Sequence, residues 1–353
     1  MSPQLLSPNR GLATGRVLRN LPRAGTCLTI AVALGVLLAA CSSGGKSASA
    51  HYPVTVTSCG SSVTYSKAPT RAVSNGVNTT EDMLVLGLES HMVGTFGVAS
   101  HAPEGSTPVA SHYMAAYQKV DAVSPDNFTL PQLTALHPDF LFAGYGYGLQ
   151  TGTNLTPASL SKLGIKTLVV AESCALVQAT TSVSMNETYD DLVNLGTIFG
   201  VKKQAESLVS EMQNRVSKIQ GKVSSLPKVT VFDYDSGETA PLTGPGLAMV
   251  NAEISLAGGT NIFANLKQTW STVTWNQVVQ ADPACIIINN YGTTTATQKE
   301  QFLESSPITK NLTAVKNKCF LPLDYDEVTP SPRDVEAVSA IAKWLHPTAF
   351  SKS

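Results

Sequence analysis

Charge is scarce in this chain. Only 14% of its 353 residues are Asp, Glu, Lys or Arg, against 43% apolar, which excludes a self-repelling disordered polymer and describes a globular protein. The apolar run from Cys27 to Ala40 is shorter than the ~20 residues a membrane span needs. Nucleophile and phosphate motifs are missing: there is no Gly-x-Ser-x-Gly and no Gly-x-x-x-x-Gly-Lys-Ser/Thr loop. Two Ser-x-x-Lys matches, Ser159–Lys162 and Ser225–Lys228, have no partner motif. Histidine is thin too. His91, His101, His112 and His137 fall in the first half and only His346 follows, so a metal site shared between halves lacks its second set of ligands. These histidines read as scattered surface residues, and neither a metal nor a catalytic centre is expected.

What the chain does have is one long helical period. Apolar residues stand at Val201, Ala205, Leu208, Val209, Met212, Val216, Ile219 and Val223, with polar residues between them and no proline. At 1.5 Å per residue this rod runs roughly 34 Å, the span of a small domain. Ser184-Met-Asn-Glu187 has capping-box spacing for a shorter helix before it, ended by Gly200. Either side of the rod, the chain repeats itself. Leu133–Gly146 and Val278–Gly292 both read helix end, proline, buried strand, Tyr-Gly, and Met83–Gly97 has a loose counterpart in Glu253–Leu266. The expectation is an α/β protein of two related lobes with mostly parallel sheets, residues 53–185 and 227–353, joined by a rigid helical segment at 186–226.

The N-terminus is a separate object. Arg10, Arg16, Arg19 and Arg23 precede the apolar run with no acid among the first forty residues, which fits a signal peptide over 1–40. Leu38-Ala39-Ala40-Cys41 resembles a bacterial lipobox, so Cys41 is expected to carry a lipid and residues 41–52 to act as a flexible tether. Without the four leader arginines, 20 basic residues of the original 24 face 25 acids, a formal charge of −5, which argues against a nucleic-acid partner. Four cysteines remain for an oxidising compartment, two per lobe. They are expected to pair as Cys59 with Cys174 and Cys285 with Cys319; free buried thiols are the alternative.

In the first lobe, Tyr52–Cys59 and Val63–Tyr65 read as a hairpin, Pro69-Thr-Arg71-Ala-Val73 leads into a strand, and Thr79 or Thr80 is placed to cap a helix over Glu81–Leu88. With the Pro138-Asp strand, the Ala257-Gly-Gly-Thr-Asn-Ile-Phe stretch and the closing Pro332-Arg333 helix, this order resembles the ferric-siderophore and vitamin B12 binding proteins of ABC importers over residues 53–347. The resemblance implies two lobes spanned by one helix and a monomer that captures an iron chelate between them. Delivery would be to a permease and its ATPase, without catalysis and without protein ligands to the iron. Haem and cobalamin are the alternatives within that class; an exported hydrolase or a sensor lipoprotein are the alternatives outside it.

Ligands of open α/β sheets sit beyond the carboxyl ends of the strands. The candidate contacts are therefore Asn78, then Tyr145 and Tyr147 in Gly-Tyr-Gly-Tyr-Gly, then Tyr234, Glu238 and Thr243 in the loop after the first strand of the second lobe. Trp270 is preferred to Trp275, which suits a helix start. Tyr291 and Tyr325 close the last two strands, and Arg333 is placed to pair with a ligand or with a neighbouring acid. Relatives implied by the resemblance dock through a glutamate on each lobe; Pro131 and Asn276 stand at those positions here, so no docking pair is assigned.

Overall fold

The computed structural model describes residues 51–351. The leader, Cys41 and all but the last two residues of the tether lie outside the described residues. The mature chain opens with β1 (Val54–Ser58) and β2 (Ser61–Tyr65), paired antiparallel. After β3 (Ala72–Asn75), Gly76 takes φ 111°, a conformation other residues resist, and turns the chain directly into α1 (Val77–Val85). That helix starts four residues before the expected Glu81. Thr79 and Thr80 lie inside its first turn, their hydroxyls donating to the Gly76 carbonyl at 3.1 and 2.7 Å.

The first lobe continues through β4 (Met92–Phe96), α2 (Leu130–Ala135), β5 (Phe140–Tyr145) and β6 (Lys166–Val169). Then come α3 (Met185–Phe199) and α4 (Lys202–Val223). The second lobe runs β7 (Val229–Tyr234), α5 (Met249–Leu256), β8 (Gly259–Asn261), α6 (Trp275–Ala281), β9 (Cys285–Asn290), α7 (Ala296–Ser305), β10 (Phe320–Asp324) and α8 (Asp334–Leu345). Both sheets are parallel: the second has the order β8-β7-β9-β10, and the first has β4-β3-β5-β6 at its centre, with short strands at Ala122–Ser124 beside β4 and Gly148–Leu149 beside β5. The lobes thus share one four-stranded core topology.

The repeat read from the sequence is a physical unit. Thr129 with Gln132 and Thr274 with Gln277 form capping boxes that open α2 and α6. Each helix is followed by a residue at positive φ, His137 at 45° or Asp282 at 40°, immediately before a proline that keeps it out of the helical region. The strands that follow, β5 and β9, are buried for five of six residues, as parallel strands covered on both faces are. Arg71 ties this unit to the hairpin side, donating to the carbonyls of Leu136 and His137 at 2.7 and 2.9 Å, while Asp139 accepts from the Arg71 backbone N–H at 2.9 Å.

Between the lobes, Ser184 and Glu187 cap α3 as the spacing predicts, and Gly200 at φ 79° ends it. α4 then folds back along α3. At their contact a Cβ on Gly196 would stand 2.5 Å from that of Ala205, so only glycine fits. The stripe of α4 is divided: Ala205, Val209, Met212 and Val216 pack into a core built mainly from the first lobe, which Met249, Ala252 and Val335 of the second lobe join, and Ile219 and Val223 pack into the core of the second. Val201 and Leu208 sit half-buried at its edge, and Gly221 lies within the helix with open space around it. Disulfides join Cys59 to Cys174 and Cys285 to Cys319, with Cα atoms 5.2 and 4.8 Å apart.

Candidate functional site

The carboxyl ends of both sheets open onto one cleft of about 380 Å³. Tyr145 ends β5, and Tyr147 follows in the Gly-Tyr-Gly-Tyr-Gly loop. The Tyr147 ring folds back over Gly144 so closely that a Cβ there would lie 2.2 Å from it. The turn at Ala171–Leu176 adds Glu172 and Ser173, and the loop after β4 adds His101. From the second lobe come Asp235 after β7, Tyr291 after β9, Tyr325 after β10, and Trp270. A hollow of about 440 Å³ between α3, α4 and α5 has no strand end opening into it, which leaves the cleft as the candidate site.

Hydrogen bonds hold these groups in place. Tyr291 donates its hydroxyl to Asp235 Oδ2 at 2.8 Å, and Asn289 Nδ2 donates to Asp235 Oδ1 at 3.3 Å. His101 Nδ1 lies 2.5 Å from the Gly97 carbonyl, and its ring centroid is 4.3 Å from that of Tyr325. Burial pushes His101 below its ordinary pKa, favouring the neutral ring. Glu172 Oε1 accepts from the Met249 N–H, the first of α5, at 2.6 Å. Burial pushes the Glu172 carboxyl up to about 8.

Tyr145, Tyr147, Trp270, Tyr291 and Tyr325 therefore line the cleft as the sequence suggests. Five other candidates do not. Side chains alternate along β7, so Tyr234 shares a face with Phe232 against Trp275 and Phe302, and is core. Glu238 is exposed, its carbonyl accepting from Trp275 Nε1 at 2.7 Å. Thr243 is buried in a two-residue ladder with Ser271. Asn78 is wholly buried and bridges the lobes, donating to the Pro330 carbonyl at 3.1 Å. Arg333 is taken by acids of its own lobe, 2.9 Å from Asp326 and 2.7 Å from Glu327.

The groups missed include Glu172, Ser173, Asp235 and His101. Asp235 was within reach, because strand parity puts it opposite Tyr234; His101 and Glu172 sit in loops with no periodic signal. Among the described residues, no lysine or arginine lines the cleft.

Beside the cleft the lobes meet directly, through the residues that follow His101 and Tyr291. The Glu104 N–H donates to the Gly292 carbonyl at 3.1 Å, and the Gly292 N–H donates to the Ala102 carbonyl at 3.0 Å. Deeper in the seam, Glu81 and Asp82 on α1, Asp191 on α3, Glu253 on α5 and Asp334 on α8 are buried. Asp334 accepts from Thr188, but both carboxyl oxygens of Glu253 lack a partner. Burial raises all five, and mutual repulsion adds to the rise at Asp82 and Glu253. Hydrogen bonds partly offset it at the other three: from Thr188 and Ser331 to Asp334, from the Ala171 N–H to Asp191 and from the Ala110 N–H to Glu81.

Residues 73–326 match the periplasmic binding protein family. A vitamin B12-binding protein of Salmonella paratyphi A is 26% identical over 189 residues, 52% of this chain and 65% of that relative. The chain thus spans just under two thirds of that curated relative's length. The crystal structure of a periplasmic binding protein from Veillonella parvula superposes with a TM-score of 0.70 at 28% identity, covering 83% of this chain and 97% of that one. An ABC-type Fe3+-hydroxamate transport system structure from Saccharomonospora viridis gives 0.72 at 20% identity over 84% of this chain and all of the other, a likeness of fold.

Proposed function

The chain belongs to the periplasmic binding protein family, and on that premise we propose that it is the extracytoplasmic, lipid-anchored substrate-binding component of an ABC importer. It captures an iron chelate between its lobes and presents it to a permease and its ATPase. The observation that carries this reading is the cleft. Aromatic faces from two lobes of the same core topology converge at the carboxyl ends of both sheets, where a ligand is grasped from two sides. Such rings suit the apolar, polarisable shell of a chelated metal. Cys41 would hold the protein at the membrane, which suits delivery to a permease.

The test is a titration of intrinsic fluorescence with a ferric trihydroxamate, a ferric tris-catecholate, haem and cobalamin. Trp270 in the cleft makes the signal local. Saturable quenching by an iron chelate, lost in Trp270→Phe, supports the reading; no saturable response to any of the four sinks it. Haem is the second reading, favoured by the phenols and the imidazole of His101 around the cavity, which have the chemistry of axial ligands.

A further inference from the structure

The cleft lining holds two carboxyl groups and, among the described residues, no lysine or arginine. Glu172 faces it from the first lobe and Asp235 from the second. The nearest cations are spoken for. Arg333 is held by Asp326 and Glu327. Lys299 lines the neighbouring pocket, where its ammonium donates to the carbonyls of Asp235 and Asn289 and lies 4.8 Å from the Tyr291 ring centroid. An anion entering would be desolvated beside two carboxyl groups with no counter-charge, an arrangement proteins avoid. A cation would meet two carboxyl groups able to ionise against it and the electron-rich faces of tyrosine and tryptophan, which attract it.

We propose that the cleft selects its chelate by charge, seating a cationic group of the ligand between Glu172, Asp235 and the rings of Tyr291 and Trp270, and turning polyanionic complexes away. The inference rests on the reading of this site as the chelate-binding cleft, and it adds the ligand's charge class. It also carries a proton. Glu172 is faced by Glu187 and Asp191 on α3, Glu253 on α5, Asp334 on α8, and the phenols of Tyr147 and Tyr325, none of them cationic. The empty cleft keeps it protonated up to about pH 8. A cation drawn to the ionised form displaces that proton, so its binding strengthens as pH rises toward that value.

The experiment compares three ferric complexes on the purified protein: a trihydroxamate bearing a free amine, the same complex N-acetylated and neutral, and a trianionic tris-catecholate. The expected result is about tenfold tighter binding of the amine complex than of the acetylated one. That gap should widen from about pH 6 to 8 and shrink in Asp235→Asn and Glu172→Gln, with no saturation by the catecholate. Equal binding of the two trihydroxamates at every pH, or preference for the catecholate, overturns charge selection while leaving chelate capture standing. If none of the three binds, chelate capture falls, and a tetraalkylammonium against an alkylsulfonate of similar size decides the charge inference alone. Quenching of Trp270 by the ammonium only supports it; quenching by the sulfonate, or by neither, overturns it.

Discussion

At the scale of single residues, the aromatic positions divide by where their backbone leaves them. Tyr145 and Trp270 stand in the cleft, so replacing either with alanine is expected to weaken chelate binding by about 1 to 3 kcal/mol, the range for losing a ring contact in a desolvated pocket. Calorimetric titration of each variant checks it; parental affinity in both would mean the cleft is misplaced. Tyr234, 1% exposed and packed against Phe232 and Trp275, should behave differently. Tyr234→Ala is expected to cost about 3 to 5 kcal/mol of stability, read from urea unfolding, as large aromatic truncations in cores do. The aromatic contacts at strand ends were legible in the sequence because a buried strand followed by Tyr-Gly announces its own end. Whether a side chain just beyond that end faces the cleft depends on parity, which is why Tyr234 was mistaken for its neighbour Asp235. For Arg333 the sequence leaves a ligand and a neighbouring acid open, and the fold selects the acids, because Asp326 and Glu327 in the turn just before it saturate the guanidinium.

At the scale of elements, the hairpin, the capped α3, the long α4 and the two helix–proline–strand units could be read in advance because each is specified by local chemistry. The start of α1 could not. Its cap is the backbone of Gly76 in an extended conformation of positive φ, with no side-chain signal to mark it. The disulfides tie distant elements and differ in reach: Cys59–Cys174 closes a separation of 115 residues and Cys285–Cys319 one of 34. A crosslink restrains the unfolded chain more when its loop is longer, so removing the first by paired serine substitution should cost more than removing the second, each within about 2 to 5 kcal/mol. Thermal melts of the two double variants check the order, and a larger loss from the shorter loop would contradict it.

At the scale of the whole molecule, the shared core topology of the lobes was legible in the repeat, but the seam between them was not, since its acids come from α1, α3, α5 and α8 and meet only in three dimensions. Glu81 and Glu172 are raised to about 8, and Asp82, Glu253 and Asp334 are raised as well. Carboxyls raised on folding bind protons more tightly in the folded state, so their contribution is fullest below the ordinary carboxylate range and is lost as pH rises through about 8. The empty protein should therefore melt at a higher temperature near pH 5 than near pH 8.5, with its lobes spreading as the seam ionises, a change that X-ray solution scattering would register. A melting temperature that rises across that interval would refute this account.

The divided stripe of α4 has one more effect. Because the same rigid helix supplies Ala205 to Val216 to one core and Ile219 and Val223 to the other, neither lobe can melt without stripping the other of part of its packing. The two halves should then behave as one cooperative thermodynamic unit. A scanning calorimeter would record a single heat-absorption peak, its van't Hoff and calorimetric enthalpies agreeing, where two lobes on a loose linker would give two.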